Sequence, residues 1–463
     1  MPRFVFLLTD AVVWLLLIVI LSCVRYAFVN PEWRRKWSQL ADNKVAIVSA
    51  GILSVFFSIA LLDSVHFRLA LPSEAGFAQA YSPKTISALE FFVSENIAGT
   101  ERSYSAPFAL RDFDKTTVVT DGKPERVFAR LKGAQPNLKE EERPQKLFTD
   151  CAKGAAFGAV LTSGFLALCV GFVALRKKSL SLATKATLSK KNPYRPFIAV
   201  WGVFLFFVGL LTVLWPGWHI FGTDAVGNDV LFSAVKSIRT AVVIGSLATF
   251  CTVPLAIGFG IAAGFFKGKV DDIIQYIYTT ITSIPSVLLI AASVLMIQVY
   301  IDKNPMLYET GLERADIRLF FLSVIIGITG WAGLARLLRA ETMKLSEADF
   351  ITASRAFGVS PFRIMTRHIL PNVAHIVLIV AVLDFSGIVL YEAVLSYVGV
   401  GVDPTMHSFG SMINLAASEM GRTPSVWWNL LACFLFMVTM VLSANLFAAG
   451  VRDVFDPRSK RRG

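Results

Sequence analysis

The sequence predicts an all-α polytopic membrane protein, with a core of six helices preceded by an N-terminal extension of about three further helices. Three observations support this fold class. Of the 463 residues, 55% are hydrophobic and 17% are charged, whereas soluble domains carry about 25% charged residues. The apolar residues gather into runs of about 20, the length of helix that a bilayer core about 30 Å thick requires. Basic residues cluster in the loops between these runs.

Nine apolar runs are long enough to cross a bilayer. Asp10 interrupts the first of them. A signal peptide is the alternative for that run, since Leu21-Ser22-Cys23 is similar to a lipoprotein cleavage site. A signal peptide begins with a positively charged region, however, and Arg3 is the only basic residue before this run, so a retained span is favoured. The predicted spans lie near 4–29, 45–62, 154–175, 197–215, 240–266, 274–300, 320–338, 376–400 and 427–449.

The distribution of Lys and Arg predicts the side on which each loop lies. Basic clusters follow the first, third, fifth, seventh and ninth spans, whereas the loops 216–237 and 401–425 carry only Lys236 and Arg422. Because short cytoplasmic loops are enriched in Lys and Arg, we expect a multi-pass protein of the cell inner membrane with its N-terminus outside and its C-terminus in the cytoplasm. The segment 63–150, called the outer segment below, then lies outside.

Two regions follow from this topology. Residues 1–191 form an N-terminal extension that contains three spans, the extracytoplasmic outer segment and a basic linker at 176–191, and residues 192–463 form the core of six spans. Within the outer segment, the run 116–120 predicts a strand, and Asp121-Gly122 and Gln135-Pro136-Asn137 predict turns. The sequence leaves open whether this segment is a small domain or a partly ordered loop.

Composition and short motifs exclude several functions. The net charge of +12 is compatible with nucleic-acid binding, but the basic residues lie in short clusters beside the spans, so no nucleic-acid partner is expected. The five cysteines form no CxxC or metal-ligand spacing, and Pro371 separates His368 from His375, so we expect no disulfide framework and no metal site. No GxxxxGK[ST], HExxH or GxSxG sequence is present, which predicts that the chain is not an enzyme and binds no ATP itself.

The loop 346–371, on the predicted cytoplasmic side, has the most informative pattern. Asp349 is predicted to cap a short helix over 350–357 that carries small residues near its middle, and Gly358 suits the left-handed conformation that ends a helix. A second helical piece is predicted to follow and to end at Pro371. Because small side chains permit close backbone approach, a helix of this kind fits a groove on a soluble partner.

Further motifs lie in the predicted core. They read FGTDAVGND at 221–229, EAVLSYVGVG at 392–401 followed by SFGSM at 408–412, and RDVFDPR at 452–458. Together with the loop 346–371, in this order and spacing, they resemble the C-type subunits of the dipeptide and oligopeptide permease family of ABC transporters. The resemblance runs from about residue 193 to 458, and the first 190 residues resemble nothing in that family.

The loop 346–371 is similar to the "EAA" loop of ABC importer permeases. It matches the family pattern at four positions, which are Ala353, Gly358, Leu370 and Pro371. It departs from the pattern at three positions, where Thr352 replaces Glu, Ser354 replaces the second Ala and His368 takes an apolar place. In the motif at 221–229, Asn228 replaces the Arg of the family.

The resemblance implies a transmembrane permease subunit of an ATP-driven importer for di- or oligopeptides, which forms the translocation path with a homologous permease. It also implies that selectivity belongs largely to a separate binding protein. In that family the loop docks on the ATPase, which implies a coupling role for Asp349, Thr352, Ala353, Ser354, Gly358, Phe362, Arg363, Leu370 and Pro371. The resemblance also implies an outer docking loop for the binding protein, formed by Gly222, Thr223, Asp224, Gly227 and Asp229.

The implied partners are a homologous B-type permease, two ABC ATPase subunits, an extracytoplasmic solute-binding protein, a peptide substrate and membrane lipid. ATP and Mg would be bound by the ATPases, and no cofactor is expected on this chain. Similar permeases carry dipeptides, longer peptides, peptide antibiotics or nickel chelates, so the resemblance leaves the cargo open.

Two carboxylates, Asp384 and Glu392, lie within one predicted span. A carboxylate near the centre of a span costs about 2.5–3.5 kcal/mol, and residues eight apart share roughly one helical face. We expect both, with Pro285, to line the translocation path, where Asp384 would meet the ammonium group of a peptide. The alternatives are interhelical hydrogen bonds for the carboxylates, tight packing for Pro285, and helix capping for Asp224 and Asp229.

Two other functions stay open at the level of sequence. One is a proton-coupled secondary transporter that uses Asp384, which leaves the loop 346–371 without a purpose. The other is a membrane scaffold in which the outer segment recruits partners.

Overall fold

The computed structural model describes residues 3–71, 81–93, 97, 100–120, 123–135, 138–177, 184, 187, 189, 192–305, 308 and 310–455. The predicted turn Asp121-Gly122, part of the turn at Gln135-Pro136-Asn137, most of the basic linker and the end of the last motif lie outside these residues. The predicted boundary between 191 and 192 falls at the edge of that linker and stays a prediction.

The described chain is predominantly helical, and nine of its helical stretches are long and apolar enough to cross a membrane, judged by length and composition. This confirms the predicted all-α polytopic class. The nine stretches are Leu8–Tyr26, Lys44–Asp63, Glu140–Leu175, Arg195–Gly217, Val230–Phe266, Ser286–Lys303, Gly311–Ser346, Pro361–Tyr397 and Trp428–Phe455.

Short helices connect and interrupt these stretches. In chain order, the helices are α1 (Leu8–Val29), α2 (Pro31–Asp42), α3 (Lys44–Asp63), α4 (Ala88–Phe92), α5 (Arg143–Lys177), α6 (Arg195–Leu214), α7 (Val230–Phe266), α8 (Gly268–Ser283), α9 (Ser286–Lys303), α10 (Gly311–Gly330), α11 (Ala332–Ser346), α12 (Asp349–Ala356), α13 (Pro361–Ile364), α14 (Leu370–Tyr397), α15 (Phe409–Met420) and α16 (Trp428–Phe455).

In the described part of the chain, five strands form two small antiparallel sheets. They are β1 (Arg3–Val5), β2 (His66–Ala70) and β3 (Tyr81–Ser87) in one sheet, and β4 (Thr116–Thr120) and β5 (Lys123–Val127) in the other. In the first sheet Phe67 lies opposite both Phe4 and Ile86, and in the second Thr116 lies opposite Val127. The strand β4 confirms the prediction for 116–120, so this part of the outer segment is folded.

One predicted span is not a single helix. The run 274–300 is divided between α8 and α9, because Pro285 lies between them with φ −55° and ψ 119° and Ile284 is extended with ψ 131°. Proline disfavours the helical conformation in the residue before it. The helix α9 alone is long enough to be a candidate span.

The chain divides into two compact units, each described here by itself. The first unit comprises Met1–Val5, Ala41–Thr240 and His407–Ser443, and the second comprises Phe6–Leu40, Ala241–Met406 and Ala444–Gly463.

In the first unit, α3, α5 and α6 pack together. A Cβ on Gly209 would lie 2.5 Å from the Cα of Gly158, so these two glycines allow α5 and α6 to approach closely. The indole of Trp201 donates to Ser54 Oγ at 2.9 Å and joins α6 to α3. Apolar side chains of the outer segment and of the end of α6 form a further small core, made of Leu110, Leu131, Ala134, Leu214 and Trp218.

In the second unit, α7, α8, α11 and α14 share an apolar core in which Tyr278, Trp331 and Leu338 are buried. The first helix of the extension packs in this unit too, since the amide of Thr9 donates to Asp316 Oδ2 of α10 at 3.1 Å. This hydrogen bond joins two helices inside one unit through residues that are 307 positions apart in the chain.

Candidate functional site

The loop 346–371 is anchored in the core of the second unit. Ile351 of α12 and Ile364 of α13 are 0% and 1% exposed, and both contact the apolar cluster that contains Leu338 and Ile369. One turn after Ile351, on the same face of α12, the guanidinium of Arg355 lies 4.5 Å from the ring centroid of Phe265. Burial of an isoleucine contributes about 1.5–3 kcal/mol, so α12 is held in place and does not hang as a free loop.

The start of α12 differs from the prediction. The N-cap is Ala348, whose side chain cannot accept a hydrogen bond, and Asp349 is the first residue of the helix. The prediction that Asp349 is the cap is therefore wrong. Its carboxylate lies in the first turn, where it interacts favourably with the partial positive charge of the helix N-terminus.

The end of α12 is a Schellman motif. Gly358 has φ +72°, and the amides of Gly358 and Val359 donate to the carbonyls of Arg355 and Ser354 at 2.9 and 3.1 Å. This pair of bonds satisfies the free carbonyls of the last turn and reverses the chain. The left-handed residue is Gly358, as the sequence predicts. The prediction is confirmed because the end of a helix is determined largely by the residue type at that position.

The second half of the loop does not end at Pro371, and that prediction is wrong. After α13, Met365–Ile369 forms a π-helical turn, and the chain continues directly into α14. The amide of Leu370 donates to the carbonyl of Met365, five residues earlier. This wider turn places Pro371 in the first turn of α14, where a proline is tolerated.

Three exposed phenylalanines give the loop apolar surface beside its exposed polar residues. Phe350, Phe357 and Phe362 are 46%, 86% and 72% exposed. Among the predicted coupling residues, those that are exposed are Asp349, Thr352, Ala353, Gly358, Phe362, Arg363 and Pro371, and those that are half-buried are Ser354 and Leu370. Sequence reasoning missed Phe350 and Phe357, although their spacing of seven residues places them on one side of a helix.

A bidentate ion pair supports the helix that leads into the loop. Arg339 of α11 donates through Nε and Nη2 to the two carboxylate oxygens of Asp271 in α8, at 2.5 and 2.6 Å. These hydrogen bonds hold the pKa of the Asp271 carboxyl below its ordinary value. Sequence reasoning missed this pair, which lies 68 residues apart in the chain.

The predicted path residues have different surroundings. Asp384 is half-buried on α14, whereas Glu392 is buried and accepts a hydrogen bond from Ser396 Oγ at 2.6 Å. Pro285 is exposed, and the next residue, Ser286, accepts a hydrogen bond from the hydroxyl of Tyr391 at 2.9 Å. The exposed side of α14 near Asp384 is apolar, with Leu383, Leu390 and Val394 at 42–50% exposure.

The predicted outer docking loop is covered within the first unit. Thr223, Asp224 and Asp229 are 0%, 7% and 1% exposed. The hydroxyl of Thr223 donates to the carbonyl of Ser103 at 2.8 Å, and the amide of Glu101 donates to the carbonyl of Gly227 at 2.8 Å. These buried side chains cannot form the docking surface that the sequence predicts, because the outer segment lies over them.

The acidic side chains of this loop have internal roles. Asp224 accepts from the amides of Val226 and Asn228, each at 2.9 Å. Asp229 accepts from the amide of Phe232 at 2.9 Å and so caps the start of α7. The capping alternative for Asp229 is confirmed.

A buried charge cluster, Glu101–His219–Asp229, joins the outer segment to this loop. His219 Nδ1 lies 2.7 Å from Asp229 Oδ2, and Nε2 lies 3.4 Å from Glu101 Oε1. Burial alone would lower the pKa of His219, but hydrogen bonds to both carboxylates raise that pKa to about 9. Burial alone would raise the pKa of Glu101, but hydrogen bonds from His219 and two backbone amides bring it below its ordinary value.

Comparison with known proteins identifies the family. The family model described as binding-protein-dependent transport system inner membrane component matches residues 256–461. An oligopeptide transport system permease protein, OppC, of Mycobacterium tuberculosis is 31% identical over 247 residues, which cover 53% of this chain and 78% of that protein. The chain belongs to this permease family. The matched region contains the loop 346–371 and the helix α14 that carries Asp384.

Other proteins that are similar to this chain are also peptide transport permeases. OppC of Haemophilus influenzae is 28% identical over 244 residues, covering 53% of this chain and 72% of the relative. The dipeptide transport system permease protein DppC of Lactococcus lactis is 28% identical over 241 residues, covering 52% and 64%. The recognition made from the four motifs is thereby confirmed. The family model does not include the outer segment or the loop 221–229.

Proposed function

We propose that this protein is the permease subunit of an ATP-driven importer for dipeptides or oligopeptides, and that it couples to its ATPase through the loop 346–371. Its family and the names of its relatives, which are oligopeptide and dipeptide permeases, support the transport role and the cargo. The observation that carries the coupling role is that three exposed phenylalanines, Phe350, Phe357 and Phe362, lie on a loop whose Ile351 and Ile364 are buried in the core.

The loop has the properties of a rigid lever. A partner that binds Phe357 and Phe362 pushes on α12 and α13, whose inward side chains Ile351 and Ile364 are buried in the core. The displacement then passes to α11 and α14, between which the loop is built. ATP and Mg are bound by the partner ATPases, so this chain is not an enzyme and supplies movement to the path.

The translocation path is placed at the interface with a homologous B-type permease. The exposed apolar side of α14 supplies that interface, and Asp384 at its border meets the ammonium group of a peptide. Because Glu392 is buried and bonded to Ser396, we assign it to fixing α14 and not to contact with cargo. The break between α8 and α9 at Pro285 is joined to α14 by the hydrogen bond from the hydroxyl of Tyr391 to Ser286.

In the proposed orientation the protein lies in the cell inner membrane and the loop 346–371 lies in the cytoplasm. The basic clusters favour an orientation with the N-terminus outside and the C-terminus inside. In this orientation the outer segment faces the extracytoplasmic binding protein, and the lever faces the ATPases.

Copurification tests this function. The full chain, extracted in mild detergent, is expected to bring down two ATPases and a second permease, and the reconstituted complex should hydrolyse ATP faster when peptide and binding protein are added. Replacing Phe357 and Phe362 by alanine should remove the ATPases from the complex, since exposed aromatic anchors contribute about 2 kcal/mol or more each. Phe148→Ala, at a side chain 75% exposed near the start of α5, is the matched control.

The two alternative functions, a proton-coupled transporter and a membrane scaffold, predict different results in these experiments. Uptake that continues without an ATPase and collapses with an uncoupler would establish a proton-coupled transporter. A stable complex without peptide-stimulated hydrolysis would establish a scaffold.

A further inference from the structure

The outer segment provides the surface of this permease where the sequence predicts an outer docking loop. The residues that cover the loop 221–229, called the cover segment, are 100–120 and 123–134. Besides the bonds of Ser103 and Glu101, the amide of Thr223 donates to the carbonyl of Ser105 at 3.1 Å. The amide of Phe108 donates to the carbonyl of His219 at 2.9 Å. The contact is therefore a backbone-paired interface that continues over several residues.

The glycines of the loop permit this close contact. A Cβ on Gly222 would lie 2.2 Å from the carbonyl oxygen of Ser105, and a Cβ on Gly227 would lie 2.2 Å from that of Glu101. Both glycines also have positive φ, +64° and +86°. No other residue fits at these two positions without displacing the cover segment.

The cover segment also contacts the second outer connection of the first unit, between α15 and α16. Arg422 forms an ion pair with Asp114 at 2.9 Å, and its guanidinium lies 4.6 Å from the ring centroid of Tyr104. The ring of Phe113 packs edge-on against Trp428 with centroids 5.2 Å apart. Two outer connections are thus held under one segment.

The charges of the cover segment are separated by sign. Glu101 and Asp112 are buried, and Asp114 is paired with Arg422. The exposed acid among its described residues is Glu125, on the hairpin of β4 and β5. The exposed cations are Arg102, Arg111, Lys115, Arg126, Arg130 and Lys132. Among the exposed charged side chains of the described cover segment, cations therefore outnumber acids.

Four of these cations are neighbours. Arg111 and Arg130 face each other in an isolated antiparallel bridge. Lys132 Nζ donates to the carbonyl of Thr100 at 3.3 Å, two residues before Arg102 in the chain. Among the described residues, none of the four forms an ion pair within 4.0 Å. Adjacent unpaired cations repel each other, and an acidic partner surface relieves that repulsion.

We propose that Arg102, Arg111, Arg130 and Lys132 form the docking site of this permease for an acidic surface of its extracytoplasmic binding protein. The proposal rests on the proposed function, because a transporter of this kind receives cargo from such a protein. It assigns docking to the outer segment, which the family model does not include, and removes it from the loop 221–229.

Binding of the extracytoplasmic binding protein encoded with the transporter tests the proposal. The complete complex is placed in nanodiscs of phosphatidylcholine, and the dissociation constant is measured at low and high salt. Arg111→Glu with Arg130→Glu is expected to weaken binding about tenfold or more and to reduce its salt dependence, since like charges brought together cost several kcal/mol. Because Arg130 also donates to the carbonyl of Leu138 at 3.1 Å, Arg102→Glu with Lys132→Glu serves as a second pair and is expected to behave alike.

The control is Lys303→Glu, at an exposed cation of α9 on the same predicted side, which is expected to bind as the wild type does. Wild-type affinity in both pairs would overturn the proposal. An effect that appears only after phosphatidylglycerol is added to the nanodiscs would also overturn it, by showing that the cations bind lipid. Copurification of the ATPases with peptide-stimulated hydrolysis reports on the proposed function separately, so either can fail alone.

Discussion

Gly358→Val is expected to lower uptake and peptide-stimulated ATP hydrolysis about tenfold or more while leaving membrane insertion unchanged. The residue has φ +72°, and no atom lies within 4 Å of the position that a Cβ would take. The penalty therefore arises from the backbone alone. A left-handed conformation costs an L-residue about 1–2 kcal/mol, and more when it is β-branched. The chain relieves this strain by moving the end of α12, which carries Phe357.

The matched control for this lever is Gly333→Val. Gly333 lies in α11 with open space around its Cβ position and a right-handed backbone, so valine adds volume without backbone strain. For both variants, uptake and peptide-stimulated ATP hydrolysis are measured in the reconstituted complex, and the amount of protein inserted in the membrane is measured separately. Wild-type coupling in Gly358→Val would show that the shape of the loop end is not required, and would count against the lever.

His219→Leu is expected to release the cover segment from the loop 221–229. The substitution leaves Glu101 and Asp229 buried without their shared cation, and breaking a buried ion pair in this way costs about 3–5 kcal/mol. Amide hydrogen exchange at Phe108 and Thr223, both bonded across the contact, should accelerate about a hundredfold. His375→Leu, in α14 and outside the first unit, should leave those amides unchanged.

The same cluster makes the contact depend on pH in a defined direction. The pKa of His219 is about 9 in the folded protein against an ordinary 6.5, so its contribution is complete below about pH 6.5 and is lost as pH rises through about 9. Exchange at the two amides, corrected for its intrinsic pH dependence, should increase over this window in the wild type and not in His219→Leu. An identical pH response of the two proteins would show that His219 does not hold the contact.

Local chemistry made most of the fold predictable. Long apolar runs indicated the spans, because a membrane helix satisfies its own backbone hydrogen bonds and needs only lipid around it. The run 274–300 was predicted as one span since its apolar composition continues across Pro285, yet the proline divides it. The conformation of Gly358 was also predictable from local chemistry, because a helix that ends in a Schellman motif needs a left-handed residue and glycine adopts that conformation readily.

Features that depend on distant contacts were not predictable. The cap at Ala348 and the π-turn before Pro371 flank two helices whose Ile351 and Ile364 are buried in the core, and the local sequence does not indicate that burial. The cover over Thr223 depends on Ser103, 120 residues away. Nothing in the local pattern at 221–229 indicates that another segment lies over it.

Accessibility of a cysteine at Ser360 tests the central claim most directly. Ser360 is exposed between α12 and α13, and the variant Ser360→Cys is made in a chain whose five native cysteines are replaced. If the loop is a cytoplasmic lever bound by an ATPase, a membrane-impermeant maleimide will label it only after the cells are opened, and more slowly when the ATPase is present. Labelling from outside intact cells would place the loop on the wrong side of the membrane and contradict the account.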